Sequence, residues 1–265
     1  HPHLACPSYA GLDQYLPLLR HLKCAVIVSI MGGSDTLNYK LEPDCPLPSS
    51  RWYLVKQLNR LGIWCGVRWE PIMPNINGKD DQLKEYAEAA GSNGARHVSF
   101  YHYRSSNYHM AQQEFKAHGY SLVKMLEASV DELWRPLGHR FFRFLRDNGV
   151  KASSPDFVSF PFESDCVSCC GTDDLFKPYL FNYQYALRRI LTHKTVSWDD
   201  MEAIEFREPE AYERMKAGWN GDPQYFGLRD CEGVAVIDVD RHGKNIYGRS
   251  DNPAAPDGPL FKEGA

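Results

Sequence analysis

Three short apolar runs rich in β-branched residues, separated by helical patterns, constrain this chain more than any other feature of its sequence. They are CAVIVSIM at 24–31, IWCGVRWEPI at 63–72 and HVSFYHY at 97–103. Continuous runs of this kind suit strands buried on both faces, because a half-solvated strand alternates apolar and polar residues. Between the first two, Leu54, Val55, Leu58 and Leu61 recur at helical spacing, with Ser49 or Ser50 placed to cap the helix and Gly62 to stop it. Leu83, Tyr86, Ala87 and Ala90 mark a second helix, and Leu12, Tyr15, Leu16 and Leu19 predict another over 9–22. Strand, helix, strand, helix, strand at this spacing predicts βαβ units and a parallel sheet with the three strands adjacent. Doubly wound sheets and barrels both satisfy the pattern. No GxGxxG or GxxxxGK[ST] follows any run, so nothing supports a dinucleotide or P-loop site.

The second half reads as more helical. Leu122, Leu126, Leu133, Leu137, Phe141 and Leu145 predict two helical segments over 121–147, broken near Pro136. SPDFVSFPF at 154–162 reads as short and extended, and helices are expected over 179–192 and 208–217. GVAVIDVDRHGKNIYG at 233–248 predicts a hairpin turning at Arg241–Lys244, followed by a loose Pro/Gly-rich tail. The fold class is therefore α/β: a partial (β/α) barrel over 1–105, a mostly helical extension with a Cys-rich loop over 106–232, and a terminal hairpin and tail over 233–265.

Composition narrows the function classes. The hydrophobic fraction of 43% supports a real core, and the net charge of -4 advertises neither a nucleic-acid face nor an acidic tail. No apolar run approaches the ~20 residues that span a bilayer, and the opening HPHL is no signal peptide. A cytoplasmic protein without membrane partners is expected.

In a parallel barrel the working residues lie at the C-terminal ends of strands. Those ends hold Ser29, Met31, Gly32 and Gly33, then Arg68, Glu70 and Pro71, then Tyr101, His102, Tyr103 and Arg104. Arg68 and Glu70 stand two apart and share a strand face, where charges inside a barrel contact a polar ligand or pair with each other.

Over 25–77 the chain resembles the radical S-adenosylmethionine superfamily, in its spore photoproduct lyase-like branch. The resemblance lies in the strand Ser29, the pair Glu42-Pro43, Arg51 opening a helix, and the segment from Gly62 to Asn77. It implies that the three strands are the fourth, fifth and sixth of the barrel. It also implies S-adenosylmethionine as small-molecule cofactor, contacted by Ser29, Arg68, Glu70, Tyr101 and Tyr103. A [4Fe-4S] cluster would cleave that cofactor to a 5'-deoxyadenosyl radical for hydrogen abstraction, fed by an electron donor such as a flavodoxin or ferredoxin. The substrate is not legible. The branch's founding enzyme repairs a thymine dimer in DNA, yet nothing basic here calls for DNA. No CxxxCxxC cluster motif occurs in the sequence. The expected reason is that strands one to three lie upstream of His1, so that this chain alone is inactive.

SDCVSCCGTDD at 164–174 is a second constellation. Cys166, Cys169 and Cys170 put three thiols within five residues, and Cys231 offers a fourth ligand. Such spacing lets thiolates share one metal. An auxiliary iron–sulfur cluster, a zinc ion and redox-active thiols all remain open. The alternative to an enzyme is a metal-binding or interaction protein that uses this loop structurally. Cys24 and Cys65, inside strand-like runs, read as small core residues.

Overall fold

The computed structural model describes residues 14–32, 34–73, 76–103, 113, 116, 133–176, 183–204, 208–221 and 227–250. Two compact units divide at Pro155 and Asp156.

The first unit runs α1 (Leu16–His21), β1 (Ala25–Ser29), α2 (Asp35–Leu41), α3 (Pro48–Arg60), β2 (Trp64–Ile72), α4 (Asp80–Ser92), β3 (His97–His102), α5 (Arg135–Asp147) and β4 (Lys151–Ser153). The four strands lie in the order β1-β2-β3-β4, and every neighbouring pair is parallel. This is the architecture of a partial (β/α) barrel, with the three predicted strands adjacent as expected. The fourth strand was not foreseen: three residues leave no periodic signal.

The sheet buries one face under its helices. Trp69 stacks on Tyr86 of α4 at 4.3 Å and meets Phe141 of α5 edge-on at 5.2 Å, while Phe100 packs on Phe141 at 4.9 Å. All four side chains are buried. Gly32 is required beneath this cluster, since a Cβ there would fall 1.8 Å from the Trp69 ring.

Several local expectations are corrected. The cap position of α3 is Leu47, with Pro48 opening the helix. Proline's fixed φ suits that place, and it has no N–H to leave orphaned. Ser49 instead donates its N–H at 3.1 Å and its hydroxyl at 2.6 Å to the Asp35 carboxylate, which supplies the acceptors a cap would give. Residues 154–162 form turns and not an extended segment. The Asp156 carboxylate accepts the Ser159 N–H at 3.2 Å, an Asx-type turn, and Pro155 and Pro161 bring no N–H to a ladder. Pro136 sits in the first turn of α5 without breaking it. Residues 133–134 are π-helical and run directly into α5, with Trp134 in the right-handed helical region, and a first-turn proline gives up no helical hydrogen bond. The earlier segment of that helical reading, with Leu122 and Leu126, lies outside the described residues, as do the start of the 9–22 helix and the tail after Asp251.

The second unit carries α6 (Tyr183–His193), β5 (Thr195–Val196), α7 (Trp198–Glu202), α8 (Pro209–Gly218), β6 (Val234–Val239) and β7 (Asn245–Arg249). Its sheet is antiparallel in the order β5-β7-β6, and the predicted hairpin is the β6–β7 pair. Trp198, Trp219 and Tyr247 centre its core, with Trp219 edge-on to Tyr247 at 5.2 Å. The hairpin thus shares one unit with α6 to α8, while α5 and β4 belong with the parallel sheet. The sequence had set boundaries near 105 and 232. Hydrophobic periodicity marks elements, but only packing shows which of them share a core.

Cys65 is fully buried in β2, and burial pushes its thiol from an ordinary 9.0 up to about 12. The unfolded chain releases this proton near 9.0 while the folded chain keeps it, so above that pH the unfolded state binds fewer protons. Stability is whole below about pH 9 and is lost as pH climbs toward 12. Urea midpoints measured across this range are expected to fall with pH, and less steeply in a Cys65→Ala variant. Equal slopes would show that the thiol is not protected.

Candidate functional site

The face of the sheet opposite Trp69 is polar, and the strand register makes it so. Ser29 of β1 pairs with Arg68 of β2, Arg68 with Ser99 of β3, and Ser99 with Ser153 of β4. Residues paired in parallel register project to the same face, so these four form one row across all four strands. The row ends β1 and β4 at their C-terminal residues. Toward the strand N-termini the neighbouring row is Ile27, Gly66, His97 and Lys151.

Charge of both signs sits on this face. Arg68 Nε lies 3.8 Å from Glu70 Oε1, and their side chains are 35% and 32% exposed. The Ser99 hydroxyl donates to Glu70 Oε1 at 3.5 Å. Ser153 Oγ and His97 Nε2 are 2.9 Å apart, both residues buried. Burial therefore rises from the exposed Ser29 to the enclosed Ser153.

Arg51 fixes the β1 end of the row. Its guanidinium donates to the Ser29 carbonyl at 2.8 Å, to the Pro46 carbonyl at 2.6 Å and to Glu42 Oε2 at 2.9 Å. Glu42 and Arg51, two elements of the family resemblance, thus meet and clamp the end of β1.

The structure brings Ser29, Arg68 and Glu70 together. Tyr101 lies two residues beyond Ser99, on the same strand face by alternation, with its ring 4.4 Å from that of His102. Tyr103 instead packs against the apolar cluster of Met31, Met73 and Ile76. Gly33 and Arg104 lie outside the described residues. Sequence reasoning missed Ser99, Ser153 and His97. The alternation of His97, Ser99 and Tyr101 was readable, but only the inter-strand register shows that Ser99 aligns with Arg68.

The Cys-rich loop is organised by Asp173. Its carboxylate accepts the Val167 N–H at 2.6 Å, the Ser168 N–H at 3.0 Å and the Ser168 hydroxyl. Cys169 and Cys170 hold their sulfurs 3.8 Å apart, Cys169 exposed and Cys166 buried. Cys231 is a core residue of the second unit. Burial raises its thiol well above the ordinary range, with Asp230 and Asp156 adding to the effect, and the thiol donates to the Gly227 carbonyl at 3.8 Å. Among the described residues no three His, Cys, Asp or Glu side chains converge as a metal site.

No family model matches the sequence. No curated protein matches it. Among solved structures the chain is similar to a domain of pyruvate-formate lyase-activating enzyme from Bacteroides vulgatus ATCC 8482, at 13% identity and a TM-score of 0.40, over 56% of this chain and 74% of that one. Among the described residues no helix is long and apolar enough to cross a membrane.

Proposed function

We propose that Ser29, Arg68 and Ser99 of this row, together with the adjoining Glu70, form the cofactor face of a radical S-adenosylmethionine-type barrel enzyme, and that it binds S-adenosylmethionine. The observation that carries the reading is the pairing of both charge signs, one-third exposed and 3.8 Å apart, at the strand-end face of a parallel sheet. The sequence resemblance over 25–77 supports it, at the level of the superfamily and not of one branch.

The residues present fit this cofactor. Arg68 suits its carboxylate, since guanidinium offers planar paired donors. Glu70 suits its ammonium or ribose hydroxyls, and Ser29 and Ser99 add hydroxyl partners. When bound with a [4Fe-4S] cluster, such a cofactor supplies a carbon radical for hydrogen abstraction. The cysteines here do not fit that cluster, because none stand in CxxxCxxC spacing. This chain's own part is to bind and orient: Arg51 fixes the β1 end, Arg68 and Glu70 set charge, and the helix-side core keeps the strands in register. The substrate class is left open. Calorimetric titration of the chain with S-adenosylmethionine is expected to saturate at one site; no saturation would remove the reading.

A second reading rests on the vicinal thiols. Two thiolates on one tetrahedral zinc, each about 2.3 Å from it, lie roughly 3.8 Å apart. Cys169 and Cys170 already hold that separation. A zinc ion there would take these two, with Cys166 or solvent completing its shell. Zinc competition with a chromophoric chelator is expected to show one ion per chain, lost in a Cys169→Ala variant. Retention of zinc by that variant would exclude the loop.

A further inference from the structure

A crevice of about 460 Å³ lies in the helical layer of the first unit, where α2, α3 and α4 meet beyond the end of β1. Its size is that of a small-ligand pocket. Met31, Trp52 and Tyr86 supply apolar and aromatic walls, and Asp35, Gln82 and Glu85 supply acceptors. Among the described residues no Lys, Arg or His lines it.

The aromatic wall is rigid. The Trp52 and Tyr86 rings meet edge-on at 5.0 Å. Tyr86 is stacked from behind by Trp69, and its hydroxyl donates to the Ile30 carbonyl at 3.1 Å. Asp35 is held by Ser49 at the head of α3, so its charge has a fixed place. Glu85 is exposed on α4. The nearby Arg51 is engaged by Glu42 at 2.9 Å.

Two carboxylates beside an indole, with no cation among the described lining residues, disfavour an anion and suit a positive charge that rests on a ring face. We propose that this crevice binds a small organic cation, an alkylammonium group carried on an apolar body. The site lies in the helical layer and does not depend on the reading of the strand-end row.

The test is ligand-observed NMR on the full chain with benzyltrimethylammonium, benzyl alcohol and benzoate as probes. Saturable binding of the cation, about tenfold or more tighter than the alcohol and with benzoate silent, is the expected result, the size of a desolvated cation–π contact. Trp52→Leu is expected to weaken it about 3- to 30-fold. Glu85→Gln changes an exposed side chain, leaves the fold intact, and is expected to weaken it as well. Equal binding of cation and alcohol, no saturation by the cation, or full binding by both variants would overturn the proposal.

Discussion

Replacing Trp69 with alanine is expected to destabilise the parallel-sheet unit by about 3–5 kcal/mol, the cost of emptying a large aromatic site in a packed core. Trp69 is fully buried, stacked on Tyr86 at 4.3 Å, and its ring fills the space that Gly32 leaves. Typical stabilities are about 5–15 kcal/mol, so this one change would remove a large share of what holds the unit together. Trp69→Phe separates ring packing from ring chemistry. Among the described residues the buried indole N–H has no hydrogen-bond partner. Phenylalanine removes that unsatisfied donor while keeping an aromatic face on Tyr86, so it is expected to cost less than half as much. Urea unfolding followed by helical circular dichroism measures both. A cost below about 1 kcal/mol for Trp69→Ala would mean that α4 and α5 do not pack on the sheet as described.

Replacing Arg68 with alanine is expected to weaken S-adenosylmethionine binding about 10- to 150-fold. That range is what a charge-assisted hydrogen bond worth roughly 1.5–3 kcal/mol contributes. The fold should tolerate the change: the Arg68 and Glu70 side chains are 35% and 32% exposed, and partly exposed pairs add little stability. Arg68→Lys is expected to fall between, because an ammonium keeps the charge but not the planar pair of donors. Glu70→Gln should weaken binding less than Arg68→Ala if Arg68 meets the carboxylate. Unchanged affinity in Arg68→Ala, with unchanged melting, would move the cofactor site away from this row.

Part of this protein is decided by local pattern alone. The runs at 24–31, 63–72 and 97–103 form strands as their β-branched character predicts, and the helices between them leave a parallel sheet as the outcome. The positions of β1, β2, β3 and α4, and the terminal hairpin, followed from that. Burial on both faces does not hold for β1, where Val28 is buried but Ile27 and Ser29 are exposed. Arg68 and Glu70 were visible because two charges inside an apolar run need a reason.

What the local pattern did not decide was alignment between segments far apart in the chain. Ser29, Arg68, Ser99 and Ser153 become one row only when four strands settle into register. That register is set by how side chains on the opposite face, Trp69 and Phe100 among them, pack under α4 and α5. The same holds for the first turn of α3, where Asp35 from another helix serves in place of a local serine cap. It holds too for Cys231, which looked like a ligand and stands in a core. Secondary structure answers to neighbours a few residues away, whereas a site answers to contacts dozens of residues apart, and those exist only once the chain has folded.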